Sequence, residues 1–127
     1  MSDRIKKIFQ NKNKKLISFT TGGDPNLEMS IKIIECIISN EIDIVEIGMP
    51  FSDPMADGPT IQLSSARAIK NEINLSQIFE IVKHIRTKNK NIPIVLMGYY
   101  NVIFHFGIKE FAQECKKSGV DGLIIVD

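Results

Sequence analysis

Tryptophan is absent from these 127 residues, and cysteine occurs only twice, at Cys36 and Cys115. Two cysteines cannot supply the disulfide framework of a small secreted domain. Both fall at apolar positions of helical patterns, which points to two buried free thiols and a reducing, cytoplasmic setting. Neither sign of charge dominates. Sixteen Lys and Arg against fifteen Asp and Glu leave a net +1, so no electrostatic footprint for nucleic acid or a membrane surface is present. Lysines do gather near the start (Lys6, Lys7, Lys12, Lys14, Lys15), but no aromatics interleave with them as a strand-binding surface requires. They read as a solvated turn beside a helix. No apolar run approaches the roughly 18 residues of a membrane span, and the first residues lack the apolar core of a signal peptide. No G-x-G-x-x-G or phosphate-cradling lysine motif follows the first apolar strand. His84 and His105 have no partner at metal-ligand spacing, so both are expected to be structural and no metal site is expected.

What is present suffices for a packed core, since 43% of the residues are apolar. Ser2 to Gln10 carries Ile5, Ile8 and Phe9 on one helical face. Leu16–Thr21 reads as a first strand leaving through Gly22-Gly23-Asp24-Pro25. Leu27, Ile31, Ile34, Ile37 and Ile38 then repeat at helical spacing, with Asn26 or Asp24 as the cap. Ile42–Gly48 is a second strand, and Pro59 suits the first position of a helix through Ile69. Asn74 and Gln77 form a capping pair for a helix bearing Leu75, Ile78, Phe79, Val82 and Ile85. Ile94–Gly98 is a third strand, Val102–Phe106 is short and ambiguous, and a helix from Ile108 closes at Gly119. Gly122–Val126 is a fourth strand. Strands alternating with helices imply a parallel sheet with right-handed crossovers. The period leaves two forms open, half of an eight-stranded barrel or a small doubly wound sheet. No repeat, low-complexity tract or linker divides residues 1–127, which are expected to form a single partial domain.

The chemistry points to one stretch, Glu46–Gln62, EIGMPFSDPMADGPTIQ. Alternation puts Ile44 and Glu46 on one strand face and Val45 and Ile47 on the other. In a parallel sheet both faces are covered, which makes Glu46 an acid held at the end of a buried strand. No base lies nearby in sequence, and desolvation would raise its pKa toward a range useful for proton transfer. The loop from Gly48 to Gly58 is long for a strand-to-helix connection, and Pro50 and Pro54 restrain it. It carries Asp53 and Asp57 beside Met49, Phe51 and Met55. A loop that is long, restrained, apolar and acidic is a place for function. Asp57, just before Gly58-Pro59, reads equally well as a working acid or as a helix N-cap.

The run VEIGMPFSDPMADGPTIQ resembles the signature segment of the tryptophan synthase alpha chain family, and the likeness extends over the whole 127 residues. The resemblance implies a TIM (β/α)8 barrel of which strands 1–4, with a leading N-terminal helix, form the N-terminal half. It implies a lyase of tryptophan biosynthesis that cleaves indole-3-glycerol phosphate, by a retro-aldol reaction, to indole and glyceraldehyde 3-phosphate. Glu46 and Asp57 match the two catalytic acids, Glu46 as general acid/base and Asp57 as partner of the indole N–H. Phe19, Tyr99 and Asp127, at the ends of the first, third and fourth strands, match substrate-binding positions. Asp53, Pro54 and Asn101 match positions that meet the beta chain in an alpha2-beta2 tetramer, where exposed Phe51 and Met55 would also suit. No cofactor is implied for the alpha chain, since PLP belongs to the beta chain.

The family's phosphate-binding loops belong to a C-terminal half that these residues do not include, so the segment alone is expected to be inactive. Two other readings compete. Another phosphosugar barrel, an isomerase or aldolase, would need a Schiff-base lysine or a different base pair, and no strand end carries Lys. A non-catalytic module that only binds the beta chain would have no need of a desolvated acid at Glu46.

Overall fold

A computed structural model describes residues 2–126. Four strands, β1 (Ile17–Thr21), β2 (Ile44–Gly48), β3 (Ile94–Tyr99) and β4 (Gly122–Val126), form one parallel sheet in the order β1-β2-β3-β4. A doubly wound sheet reverses its strand order part-way. Here sequential strands stay neighbours, so every crossover runs on the same side, as in a barrel. That sequential order decides between the two forms left open by the sequence.

The helices are α1 (Asp3–Ile8), α2 (Leu27–Ser39), α3 (Pro59–Lys70), α4 (Leu75–Lys88), α5 (Tyr100–Phe106) and α6 (Ile108–Ser118). One sheet face is sealed by them: Val45, Ile47, Ile94 and Leu96 are fully buried against Ile34 of α2 and Ile78, Ile81 and Val82 of α4. The opposite, inner face stays open, and Ile17 and Ile124 remain half exposed on it. β4 is also uncovered on its helix side, at Leu123 and Ile125.

Local signals account for most element ends. Asn26, not Asp24, caps α2, accepting from Met29 N–H at 2.9 Å. Asp24 instead pairs with Arg67 of α3 at 2.7 Å. The capping pair of α4 forms, with Gln77 Oε1 accepting from Asn74 N–H at 3.0 Å. α6 ends at Gly119, whose φ of 91° is the left-handed conformation a helix exit needs. The ambiguous stretch Val102–Phe106 is helical and belongs to α5, which starts directly on the end of β3. Cys36 departs from expectation. It is exposed, because α2 turns only Ser30 and Ile34 fully inward, whereas Cys115 is buried on α6.

At the end where the strands begin, Asp121 draws three elements together. Its side chain, 1% exposed, meets Arg86 of α4 at 2.6 Å and Arg4 of α1 at 2.9 Å. It also accepts from the Ile94 N–H at 2.9 Å and from the Ser2 hydroxyl. Arg86 further donates to the carbonyls of Gly119 and Ile92. A carboxylate this buried is tolerated only with its charge and lone pairs so occupied.

Candidate active site

Glu46 sits on the open inner face of β2, in register with Phe19 of β1 and Val95 of β3. It is half-buried, and burial is what acts on its carboxyl, raising its pKa above the usual carboxylate range. Two residues on, Gly48 leaves room for Phe19: a Cβ there would lie 2.7 Å from the Phe19 ring. Phe19 therefore lies across the end of β2, an aromatic wall on the same face as the acid.

The loop that follows is pinned at both ends and turned between by bonds from Met55 N–H to the Asp53 carbonyl at 2.8 Å and from Asp57 N–H to the Pro54 carbonyl at 3.0 Å. Met49 N–H extends the sheet ladder to the Met97 carbonyl at 2.7 Å. Phe51 N–H donates to Ser65 Oγ of α3 at 3.2 Å. Ala56 N–H donates to the Tyr99 hydroxyl at 2.9 Å. Between these anchors Asp53 is exposed and Met55 is 83% exposed. Phe51 is not the exposed residue the sequence suggested. It tucks inward and packs on Tyr99, with ring centroids 5.2 Å apart.

Asp57 is not a helix cap. The N-cap of α3 is Gly58, with no side-chain cap bond, and Pro59 fills the first turn. The Asp57 carboxylate instead accepts from the Tyr99 hydroxyl, Oδ2 at 3.0 Å. Tyr99 is buried at the end of β3, whereas Tyr100 begins α5 and is exposed, so Tyr99 is the tyrosine that faces this site. Burial pushes the Tyr99 phenol above its usual pKa, and the Asp57 carboxylate adds to the effect, so it stays a donor.

The remaining expected residues fall around this core. Asp53 and Asn101 line a small cavity of about 220 Å³ with Phe51, Met55 and Tyr99. Pro54 is part-buried at the loop tip next to it. Asp127 lies outside the described residues. His84 is held by Glu35 at 2.9 Å, and His105 is exposed. Among the described residues no cluster of His, Cys, Asp and Glu could hold a metal ion, and no helix is long and apolar enough to cross a membrane.

Sequence reasoning missed the serines that hold the loop. Ser65 anchors Phe51, and Ser64 bonds Thr21 at 2.6 Å, tying α3 to β1. The available signal was a Ser-Ser pair on the inward face of an amphipathic helix. A larger groove of about 490 Å³ was also unforeseen. It lies outside the sheet between Pro50, Ile73, Leu75, Asn101 and Phe106, and neither Glu46 nor Asp57 lines it.

A family model described as tryptophan synthase alpha chain matches residues 5–127. The chain belongs to that family. The tryptophan synthase alpha chain of Christiangramia forsetii is 46% identical over 125 residues, covering 98% of this chain and 48% of the relative. That of Geotalea daltonii is 49% identical over 121 residues, covering 95% and 46%. The chain thus spans about half the length of the curated relatives it matches. Among solved structures, the tryptophan synthase subunit alpha of Legionella pneumophila superposes with a TM-score of 0.93 at 35% identity, over 100% of this chain and 50% of that one. A tryptophan synthase a2b2 complex of Pyrococcus furiosus gives 0.83 at 44% identity, over 89% and 46%. The four strands and their helices are accordingly the α/β half of a TIM barrel, as the resemblance implied.

Proposed function

We propose that this chain carries the catalytic carboxylates of the alpha reaction of tryptophan synthase, the cleavage of indole-3-glycerol phosphate to indole and glyceraldehyde 3-phosphate. The observation that carries the reading is Glu46, a half-buried, desolvated carboxyl on the open face of the strand ends, beside an aromatic wall. Burial that raises the pKa of a carboxyl moves it toward the range in which it can both give and take a proton, which is what acid–base work requires.

In this scheme a proton is delivered to indole C3, which leaves positive charge on the indole N–H. The glycerol hydroxyl then gives up its proton, the bond from C3 to the side chain breaks, and its electron pair returns to the ring. The alkoxide carbon becomes the aldehyde. Glu46 moves the protons, and Asp57 faces the N–H charge. An anion opposite a cation that exists only along the reaction lowers the barrier without tightening the ground state. Phe19 packs the indole plane, and Asp127 is assigned to substrate binding by the family resemblance alone. These steps are proton transfer and charge stabilisation, so the scheme assigns the alpha chain no cofactor of its own.

Asp53, Pro54, Met55 and Asn101 form the surface we assign to a beta-chain partner, to which indole passes. The exposure of Asp53 and Met55 on a loop anchored at both ends supports it. The experiment is an indole-release assay with indole-3-glycerol phosphate on the full-length protein. Release of indole with one equivalent of glyceraldehyde 3-phosphate is expected. Turnover of a different phosphosugar in its place would refute the assignment.

A further inference from the structure

We propose that Tyr99 is the positioning residue for Asp57, its hydroxyl spent on the acid and the loop and unavailable to the substrate. This deepens the function proposed above and rests on it. A phenol has one proton to donate, besides its capacity to accept. Here the Ala56 N–H already donates to that oxygen at 2.9 Å, and the phenol proton goes to Asp57 Oδ2 at 3.0 Å. The hydroxyl therefore joins two neighbouring residues of the loop, the backbone at 56 and the side chain at 57.

The ring that carries it cannot swing away. Tyr99 is 4% exposed, ends a strand paired with β4 through Val126, and stacks on Phe51, which is fixed to α3 through Ser65. Asp57 otherwise has little to hold it. Its side chain makes no cap bond to α3, whose N-cap is Gly58. Apart from the Tyr99 bond, the anchors of Asp57 are on its backbone, from its N–H to the Pro54 carbonyl at 3.0 Å and from Gln62 Nε2 to its own carbonyl at 2.8 Å. Tyr99 thus decides which carboxylate oxygen is occupied. Oδ2 is taken, and Oδ1, with no hydrogen-bond partner among the described residues, is the one presented to an indole N–H.

The test is a double-mutant cycle in the full-length protein, following indole release from indole-3-glycerol phosphate. Tyr99→Phe keeps the ring and its stack on Phe51 and removes only the hydroxyl. Losing a hydrogen bond to a charged group is worth about 10- to 100-fold, and here the loss is expected in kcat with KM moved less than about 3-fold. On an Asp57→Asn background the same change should cost less than about 2-fold, because groups acting through one another are not additive. A Tyr99→Phe loss that falls mainly on KM would make the hydroxyl a substrate contact and overturn the inference. So would a loss that persists undiminished on the Asp57→Asn background, or a Tyr99→Phe enzyme with unchanged kcat beside a crippled Asp57→Asn. If Asp57→Asn alone leaves turnover intact, the reading of the site falls, and this inference with it.

Discussion

Replacing Glu46 by glutamine should abolish most turnover and at the same time make the protein more stable near neutral pH. Glutamine matches glutamate in size, and the two neighbours that hold the strand, Val45 and Ile47, are fully buried on the opposite face and unaffected. Burial is the influence that acts on the carboxyl, so glutamine breaks no ion pair. What disappears is the proton. General acid–base catalysis contributes about 10²- to 10⁴-fold, or about 3–5 kcal/mol of barrier. The stability effect follows from the raised pKa. The folded state keeps this proton to a higher pH than the unfolded chain, so between the ordinary carboxyl value and the raised one the folded state binds more protons. Wild-type stability therefore falls as pH rises through that window and carries the full desolvation cost above it. The glutamine variant carries none of it. Its stability advantage should be absent at low pH, grow through the window and level off above. Urea unfolding of both proteins across pH, with an indole-release assay, measures the two effects. Near-wild-type turnover would remove Glu46 from the mechanism, and a pH-independent stability difference would refute its desolvation.

Other expectations rest on different parts of the molecule. Asp121→Ala should cost about 3–5 kcal/mol in urea unfolding, because it leaves Arg86 buried without its counter-charge; a loss below about 1 kcal/mol would show that water replaces the carboxylate. A maleimide at pH 8 should label exposed Cys36 quickly and leave Cys115, buried with its thiol pushed up to about 11, until the protein unfolds. Equal rates at both would contradict the packing of α6. The 127-residue polypeptide by itself should release no indole and should self-associate, because β4 presents Leu123, Ile124 and Ile125 around an unpaired edge. Sedimentation and the same assay decide it, and a compact, active monomer would refute both halves of that expectation.

The features legible in the sequence were those whose cause is local. The Asn74 and Gln77 capping box, Pro59 at the start of α3, Gly119 at the exit of α6 and the alternation around Glu46 each depend on a few adjacent residues, and each stands in the structure. Where the reason lay far along the chain, the sequence was silent or misleading. Asp57 looks like a cap because Gly58-Pro59 follows it; its actual partner, Tyr99, is 42 residues away. Phe51 looks like an exposed loop aromatic until β3 brings that same ring beneath it. Cys36 sits within an apolar repeat, but α2 is covered along a narrower stripe than its sequence could cover, so the thiol faces out.

The cluster at Asp121 also has a bearing on time. Ser2 and Arg4 meet it across 119 and 117 residues of chain. The helix it fastens, α1, is six residues long and has no fully buried residue, far too short to persist in water unaided. During synthesis at about 5–20 residues per second, α1 must therefore wait several seconds for its anchor to emerge. α1 can settle only after Asp121 is in place, and closing so long a loop is an entropic cost met only once the strands it spans are already paired. Substitutions in α1 should accordingly leave the pairing rate of these four strands almost untouched and speed the rate of unfolding, marking this helix as one fastened after the strands have met.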